Sequence, residues 1–346
     1  MRSPRRTLAV AASLVMLFGV TLTACGGEDD TSAEKTITVY SGRSEDLVKP
    51  ILDKFSADTG IKIDARYGNT AATATQLLEE GDKSPADVFF SQDAGALGAV
   101  AKKGLFAVLP GEVTAKVPET YRAKSGEWVG VTARARVLVY NADKVKEGDL
   151  PKSVFDLTKP EWKGKVGVAP TNASFQAFVT AITVQHGEAK AKEFLAGLKA
   201  NDPQVRDGNG AILEEVDAGT LPVGLINHYY LGELAKERGT TPDALKAKLH
   251  FFEGGDTGAL VNVAGVGILK KAADNADARA LVDYLLSPEV QALFATETSE
   301  YPVVTGIAGP TYVPALDALD VPAVDLNDLD QLEATIALIK DSGLVP

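Results

Sequence analysis

The sequence predicts an α/β chain of two units joined through extended segments, and three observations carry that reading. Short β-branched runs alternate with helical periods over residues 37–104, two consecutive extended segments interrupt them at 128–140, and a second strand–helix series follows. A length of 346 residues is too much for one small core and suits two domains of ordinary size.

Taken in order, Ile37-Thr38-Val39-Tyr40 is a strand closed by Ser41-Gly42, and Leu47, Ile51, Leu52 and Phe55 share one face of a helix over 47–56. Residues 61–65 alternate as a second strand, 73–80 form a helix, 86–90 a third strand, and 94–103 a helix stopped by Gly104. This order implies a mostly parallel, helix-covered sheet. Residues 129–131 and 136–140 are extended and joined through 132–134, which leaves no room for a helix and reads as a crossing between units. A strand at 165–168, helices at 175–185 and 189–200, a strand at 223–226 and a helix at 229–238 make the second unit. Residues 259–269 are a strand-rich return, 281–296 a helix, and 315–346 finish with helical character.

Ahead of the body, Arg2, Arg5 and Arg6 precede an apolar run at 8–22, shorter than the ~20 residues a spanning helix needs. The run ends in Leu22-Thr23-Ala24-Cys25, which resembles a bacterial lipoprotein signal; the alternative is a plain secretory signal with a chance cysteine. Residues 1–24 are thus expected to be a signal peptide, Cys25 a lipidated anchor, and 25–36 a flexible tether. Arg5-Arg6 leaves both Sec and twin-arginine export open.

Composition excludes several classes. With 35 basic against 47 acidic residues the net charge is −12, and the loss of the leader's three Arg makes it more negative; nucleic acid is not a partner. One cysteine rules out a disulfide framework or a multi-cysteine metal site, and His186, His228 and His250 are too few for a histidine-rich cluster. His186 and His250 read as structural. No Ser-x-Gly nucleophile, phosphate-cradling glycine loop or His-Glu-x-x-His occurs, so a secreted α/β enzyme has no catalytic foothold.

The segment with chemistry is Asn227-His228-Tyr229-Tyr230, after a strand and opening a helix. Two adjacent tyrosines ordinarily give one buried and one surface ring. The alternative is a ferric site: Fe(III) is hard and trivalent, favours anionic oxygen, and supports deprotonation of phenols whose free pKa is near ~10. Two phenolates leave such a centre one positive charge, which suits a further anion. Pro170-Thr171-Asn172-Ala173-Ser174, ahead of a helix, offers backbone N–H groups for one, or is an ordinary N-cap.

Taken together these residues resemble the ferric-ion-binding proteins, substrate-binding components of bacterial iron(III) ABC importers. The resemblance runs through Ile37-Thr38-Val39-Tyr40-Ser41-Gly42, the stretch 80–90, Arg134-Ala135-Arg136-Val137, Leu225-Ile226-Asn227-His228-Tyr229-Tyr230, Gly258-Ala259-Leu260-Val261 and Glu300-Tyr301-Pro302. It implies a two-lobed periplasmic-binding-protein-like fold with a strand hinge and a ligand cleft, 37–132 with 258–306 in one lobe and 133–257 with 307–346 in the other. It further implies Tyr229 and Tyr230 as iron ligands, and Asn172, Ala173 and Ser174 holding a synergistic anion, phosphate or carbonate, in a pocket completed by Asn209 and Asn227. Arg134 and Arg136 would steer anions or lie on the surface. A histidine and a glutamate of better-known members are replaced by Ser44 and Gln92, the expected first-lobe contacts, and a third tyrosine of another branch by Phe175; the missing oxygen would come from Asp93 or Tyr40, or from water and a chelating anion. The implied protein is a monomer, lipid-anchored outside the cell membrane, that passes iron to a permease. The rival on the same fold is a metal-free binder of a small organic anion, such as a phosphonate or carboxylate, favoured by Ser44 and Gln92.

Overall fold

The computed structural model describes residues 35–345. Cys25, the expected signal peptide and most of the expected tether lie outside the described residues. The first strand, β1 (Thr36–Ser41), begins within the last residues given to the tether, and the Lys35 carbonyl already accepts from the Lys62 amide at 2.8 Å.

β1 pairs in parallel with β2 (Lys62–Tyr67) and β3 (Val88–Ser91), with α1 (Glu45–Thr59), α2 (Thr70–Glu80) and α3 (Ala94–Lys102) as the connecting and following helices. All four β3 residues are buried, which alternation allows only where both faces of the sheet are covered. After the short α4 (Gly111–Thr114), β4 (Val129–Asn141) runs for 13 residues without a break. This corrects the two separate extended segments expected there. Residues 132–134 are held extended by ladders on both edges, with β9 (Val261–Ile268) on one and β10 (Tyr301–Pro302) on the other. A register shift between Gly130 and Thr132 is the only irregularity in the β4–β9 ladder.

β4 belongs to two sheets. Val129 to Ala135 pairs with β9, giving the order β2-β1-β3-β9-β4. Arg136 to Tyr140 pairs with β7 (Val223–Asn227), then β5 (Val166–Val168) and β6 (Gln204–Val205), while β8 (Ala247–His250) covers the other edge of the same half. The outer pairs are parallel, as expected; every pairing with β4 is antiparallel.

α5 (Ala173–His186), α6 (Glu188–Ala200), α7 (Asn209–Asp217) and α8 (Tyr230–Glu237) surround the second sheet. Val137, Val139, Ile212, Leu213, Val216, Ile226, Leu231 and Leu234 make an apolar cluster that seats α7 and α8 on β4 and β7, each large side chain contributing roughly 1.5–3 kcal/mol by burial. The helix expected over 281–296 is instead two, α9 (Ala276–Leu285) and α10 (Pro288–Glu297). Ser287 caps the second through the Val290 amide, and Pro288, lacking an N–H, fits only a first turn. The last helix, α11 (Leu332–Asp341), and the turn before it touch elements of both halves: Leu329 and Asp330 pack against Gly95 and Gly98 of α3, and Thr335 hydrogen-bonds Thr180 of α5 at 2.7 Å.

Candidate functional site

The tyrosine pair sits where β7 turns into α8. His228 fixes the turn: its amide donates to the Ala135 carbonyl at 3.0 Å, its Nδ1 accepts from the Ala135 amide at 3.1 Å, and its Nε2 donates to the Ser299 carbonyl at 3.1 Å. The ring stacks on Tyr301 at 4.4 Å, and burial pushes its pKa down to about 3, so it is a neutral peg whose nitrogens are both spent on backbone. Tyr229 caps α8 with helical backbone angles and Tyr230 is its first residue. Neighbours on a helix diverge by ~100°, yet these rings stack with centroids 4.3 Å apart, 26° between planes, one buried and the other partly exposed. The Tyr230 hydroxyl lies beside the Tyr229 hydroxyl and the Asn209 amide. Burial raises both phenol pKa values above the ordinary ~10; for Tyr229 Arg43 and Arg134 oppose the shift, and Tyr230 and Glu233 add to it. Both phenols therefore keep their protons at neutral pH.

The expected anion loop is built on α5. The Asn172 side chain accepts from the Ser174 amide at 2.9 Å and from the Ser174 hydroxyl at 2.7 Å. Ser174 Oγ in turn accepts from Arg136 Nη1 at 3.1 Å and from Asn209 Nδ2 at 3.2 Å. The ordinary N-cap and the expected anion loop are thus the same residues. Only the Ala173 amide, among those of 172–175, has no hydrogen bond within the described residues, because Asn172 already occupies that of Ser174. Asn209, on the helix that sequence periodicity missed, is buried with Oδ1 unpartnered, and Asn227 is buried at the end of β7 opposite Arg136.

The arginines are not on the surface. Arg136 is sandwiched near Phe175 and Phe178, donates Nη2 to the Leu225 carbonyl, and burial pushes its pKa down to about 9. Arg134 and Arg43 flank Glu300, with Arg43 Nη2 2.7 Å and Arg134 Nε 3.7 Å from its carboxylate. All three are fully buried, and among the described residues Arg43 Nε, Arg134 Nε and Nη1, and Glu300 Oε1 have no hydrogen-bond partner. The Asp93 carboxyl, capping α3 through the Ala96 amide, is buried with Oδ2 unpartnered, and burial pushes its pKa up to about 6.

Several expected residues do not join this site. Ser44 is exposed ahead of α1 and makes no cap hydrogen bond; the residue before it, Arg43, is the one turned inward. Tyr40 donates to Glu80 and accepts from Gln76, which directs its hydroxyl to α2. Phe175 packs in the core against Phe178. Gln92 is half-buried with Nε2 unpartnered. Asn69, capping α2, donates to the Thr171 carbonyl at 3.4 Å and so links the first sheet's helices to the anion loop. Sequence reasoning missed Arg43, Glu233 and Glu300. Glu233 alone had a signal, since it stands four and three residues after the tyrosines and so shares their helix face. Burial and Glu300 push its pKa up to about 8. Among the described residues no three His, Cys, Asp or Glu side chains group to hold a metal. A cavity of about 790 Å³ lined by Val108, Arg122 and Lys124 contains none of these residues.

Two α/β sheets sharing one long strand, with polar side chains of both halves converging beside it, define a solute-binding protein. The family model for bacterial extracellular solute-binding proteins matches residues 83–324. The "Fe(3+)-binding periplasmic protein" of Serratia marcescens is 35% identical over 97% of this chain and 96% of its own length. The "major ferric iron-binding protein" of Neisseria meningitidis serogroup B is 33% identical over 91% and 95%. Iron-bound HitA from Pseudomonas aeruginosa superimposes with a TM-score of 0.82 at 34% identity, covering 89% of this chain and 99% of that one. The chain belongs to this family, among the bacterial ferric-ion-binding proteins, and is a binding protein rather than an enzyme.

Proposed function

We propose that this chain captures ferric iron through Tyr229 and Tyr230 together with a synergistic anion, phosphate or carbonate, and delivers it to the permease of an ABC importer. The observation that carries the reading is the link between the two halves of the site: Asn209 lies beside the Tyr230 hydroxyl and also donates to Ser174 at the expected anion loop. Phenols and anion would thus share one pocket. The names of the Serratia and Neisseria relatives support iron as the cargo.

In the iron-free state both phenols hold their protons, so binding exchanges two protons for a trivalent ion. One positive charge remains, and an anion against the Ala173 amide, the Ser174 hydroxyl and Arg136 would balance it. β4, shared by both sheets, would act as the hinge about which the lobes close. Lobe boundaries are expected at 132/133, 257/258 and 306/307, with the change of sheet along β4 falling between Ala135 and Arg136. Loss of the anion or protonation of the phenolates would release the iron. The mature monomer would be exported and held at the outer face of the cell membrane by lipid on Cys25, which keeps it near the permease.

Titration of the mature chain with ferric citrate, with and without added phosphate, tests this. A coloured phenolate-to-iron band saturating near one iron per chain is expected, and a colourless protein with no thermal stabilisation would refute it. A second reading, a small organic anion bound without metal, is favoured by the unpartnered N–H groups of buried Arg43, Arg134 and Arg136. It predicts thermal stabilisation by phosphonates or carboxylates in the absence of iron.

A further inference from the structure

We propose that the Glu233 carboxylate is a third protein ligand to the ferric ion, supplied by the same helical turn as the tyrosine pair and not by the opposite lobe. This rests on the ferric reading of the site and deepens it.

Two faces of α8 are already committed. Leu231, Leu234 and Ala235 are buried in the apolar cluster beneath the helix, which fixes one face. Gly232 fixes a second, because a Cβ there would lie 2.1 Å from Ser299 Oγ and 2.7 Å from the Tyr312 hydroxyl. What remains is the face of Tyr229, Tyr230 and Glu233. The helix is formed up to this point, since the Glu233 amide donates to the Tyr229 carbonyl at 3.1 Å. Side chains three and four apart on a helix have Cβ atoms roughly 5–6 Å apart, within the span of three oxygens around one ion.

Two further observations point to a ligand there. The Glu233 side chain is half-buried yet has no hydrogen bond or ion pair at contact distance among the described residues. It also lies within electrostatic reach of both phenols and of Arg43, Glu300 and Lys236. A half-buried carboxyl with no close partner, beside two phenols likewise awaiting a cation, is an incomplete site that a cation would complete.

Charge and geometry then account for the first-lobe residues. With Glu233 added to the two phenolates the donors carry three negative charges, so the ion needs no carboxylate from the first lobe, and an anion beside it would be balanced by Arg136 and the Ala173 amide rather than by residual charge on the iron. A neutral amide at Gln92 and an exposed hydroxyl at Ser44 are tolerable on that basis. Three oxygens from one turn occupy one face of the ion and leave the other for the anion, water or the closing lobe. Iron would therefore be held by the second lobe before closure.

The test uses the mature full-length chain loaded with ferric citrate, comparing wild type with Glu233→Gln, Glu233→Asp and Asp93→Asn. Iron retention is read by competition with nitrilotriacetate, ligand identity by the position of the visible band, and folding by circular dichroism of the iron-free proteins. Glu233→Gln is expected to retain iron at least ~10–100-fold more weakly, the cost known for perturbing even a ligand's supporting partners. It should also move the band to longer wavelength, because a poorer donor set makes the iron a stronger acceptor. Glu233→Asp keeps a carboxylate one methylene shorter and should fall between. An unchanged band and retention in Glu233→Gln would overturn the proposal while leaving the ferric reading intact. A band shift confined to Asp93→Asn would overturn it in favour of the first lobe. No band in wild type would overturn the ferric reading and this inference together.

Discussion

The buried triad of Arg43, Glu300 and Arg134 makes a strong demand on stability, and Glu300→Gln is the perturbation that exposes it. In the native protein one carboxylate serves two guanidiniums, at 2.7 Å and 3.7 Å, with Thr298 Oγ1 adding a hydrogen bond at 3.2 Å. None of the three charged side chains reaches solvent to any useful extent. Replacing the carboxylate with an amide leaves two arginines buried near each other without a counter-charge, and Arg43 already depresses the Arg134 pKa after burial. Breaking a buried pair from one side costs about 3–5 kcal/mol, and the two unpaired cations put this case at the upper end. A urea slope of about 3 kcal/mol/M, the upper range for small proteins, translates that into a midpoint lowered by about 1–2 M with the slope unchanged. The assay is equilibrium urea unfolding of the iron-free protein followed by circular dichroism. A second variant, Arg43→Met with Glu300→Met, should lose less than Glu300→Gln, because it removes both charges of the close pair. A loss below about 1 kcal/mol for Glu300→Gln would match an exposed pair and refute the claim that the triad is desolvated.

Three other outcomes follow from the same geometry. His228 has a folded pKa of about 3 against an ordinary 6.5, so the unfolded chain takes the proton first and stability is full above pH 6.5 and lost as pH falls towards 3. At pH 4.5 the loss is about 3 kcal/mol, and His228→Gln should show a correspondingly flatter urea midpoint between pH 7.5 and 4.5; parallel profiles would contradict a buried neutral ring. Ser174→Ala removes the hydroxyl on which Asn172, Arg136 and Asn209 converge, and should abolish the strengthening of iron retention by phosphate while leaving the coloured band, as read by chelator competition with and without phosphate. Gly232→Ala puts a methyl group against Ser299 and Tyr312, and should cost about 1–3 kcal/mol in thermal unfolding and weaken iron retention by tilting α8.

Local pattern reveals much of this molecule, and long-range pairing the rest. Strands such as β1 and β3 and the helices after them are readable because their apolar spacing is decided by neighbours in sequence. The continuity of β4 is not, because Thr132, Ala133 and Arg134 are extended only through strands more than a hundred residues away. The break before α10 had a local signal in Ser287-Pro288 that apolar periodicity overrode. At the site, the tyrosine pair and the Asn172-Ala173-Ser174 turn are contiguous motifs and were legible. Arg43 and Glu300 are 257 positions apart, and nothing in either neighbourhood marks them as a pair. Single-residue offsets mattered as well: Ser44 was expected at the first-lobe contact, and the chain turns Arg43 inward instead.

The central claim is that Tyr229 and Tyr230 are the cargo-binding oxygens, and their removal tests it most directly. The visible spectrum of the mature chain saturated with ferric citrate should show one phenolate-to-iron band. That band should weaken in Tyr229→Phe and in Tyr230→Phe and vanish in the double variant, with the iron-free proteins still folded. A band that survives in the double variant would contradict the account.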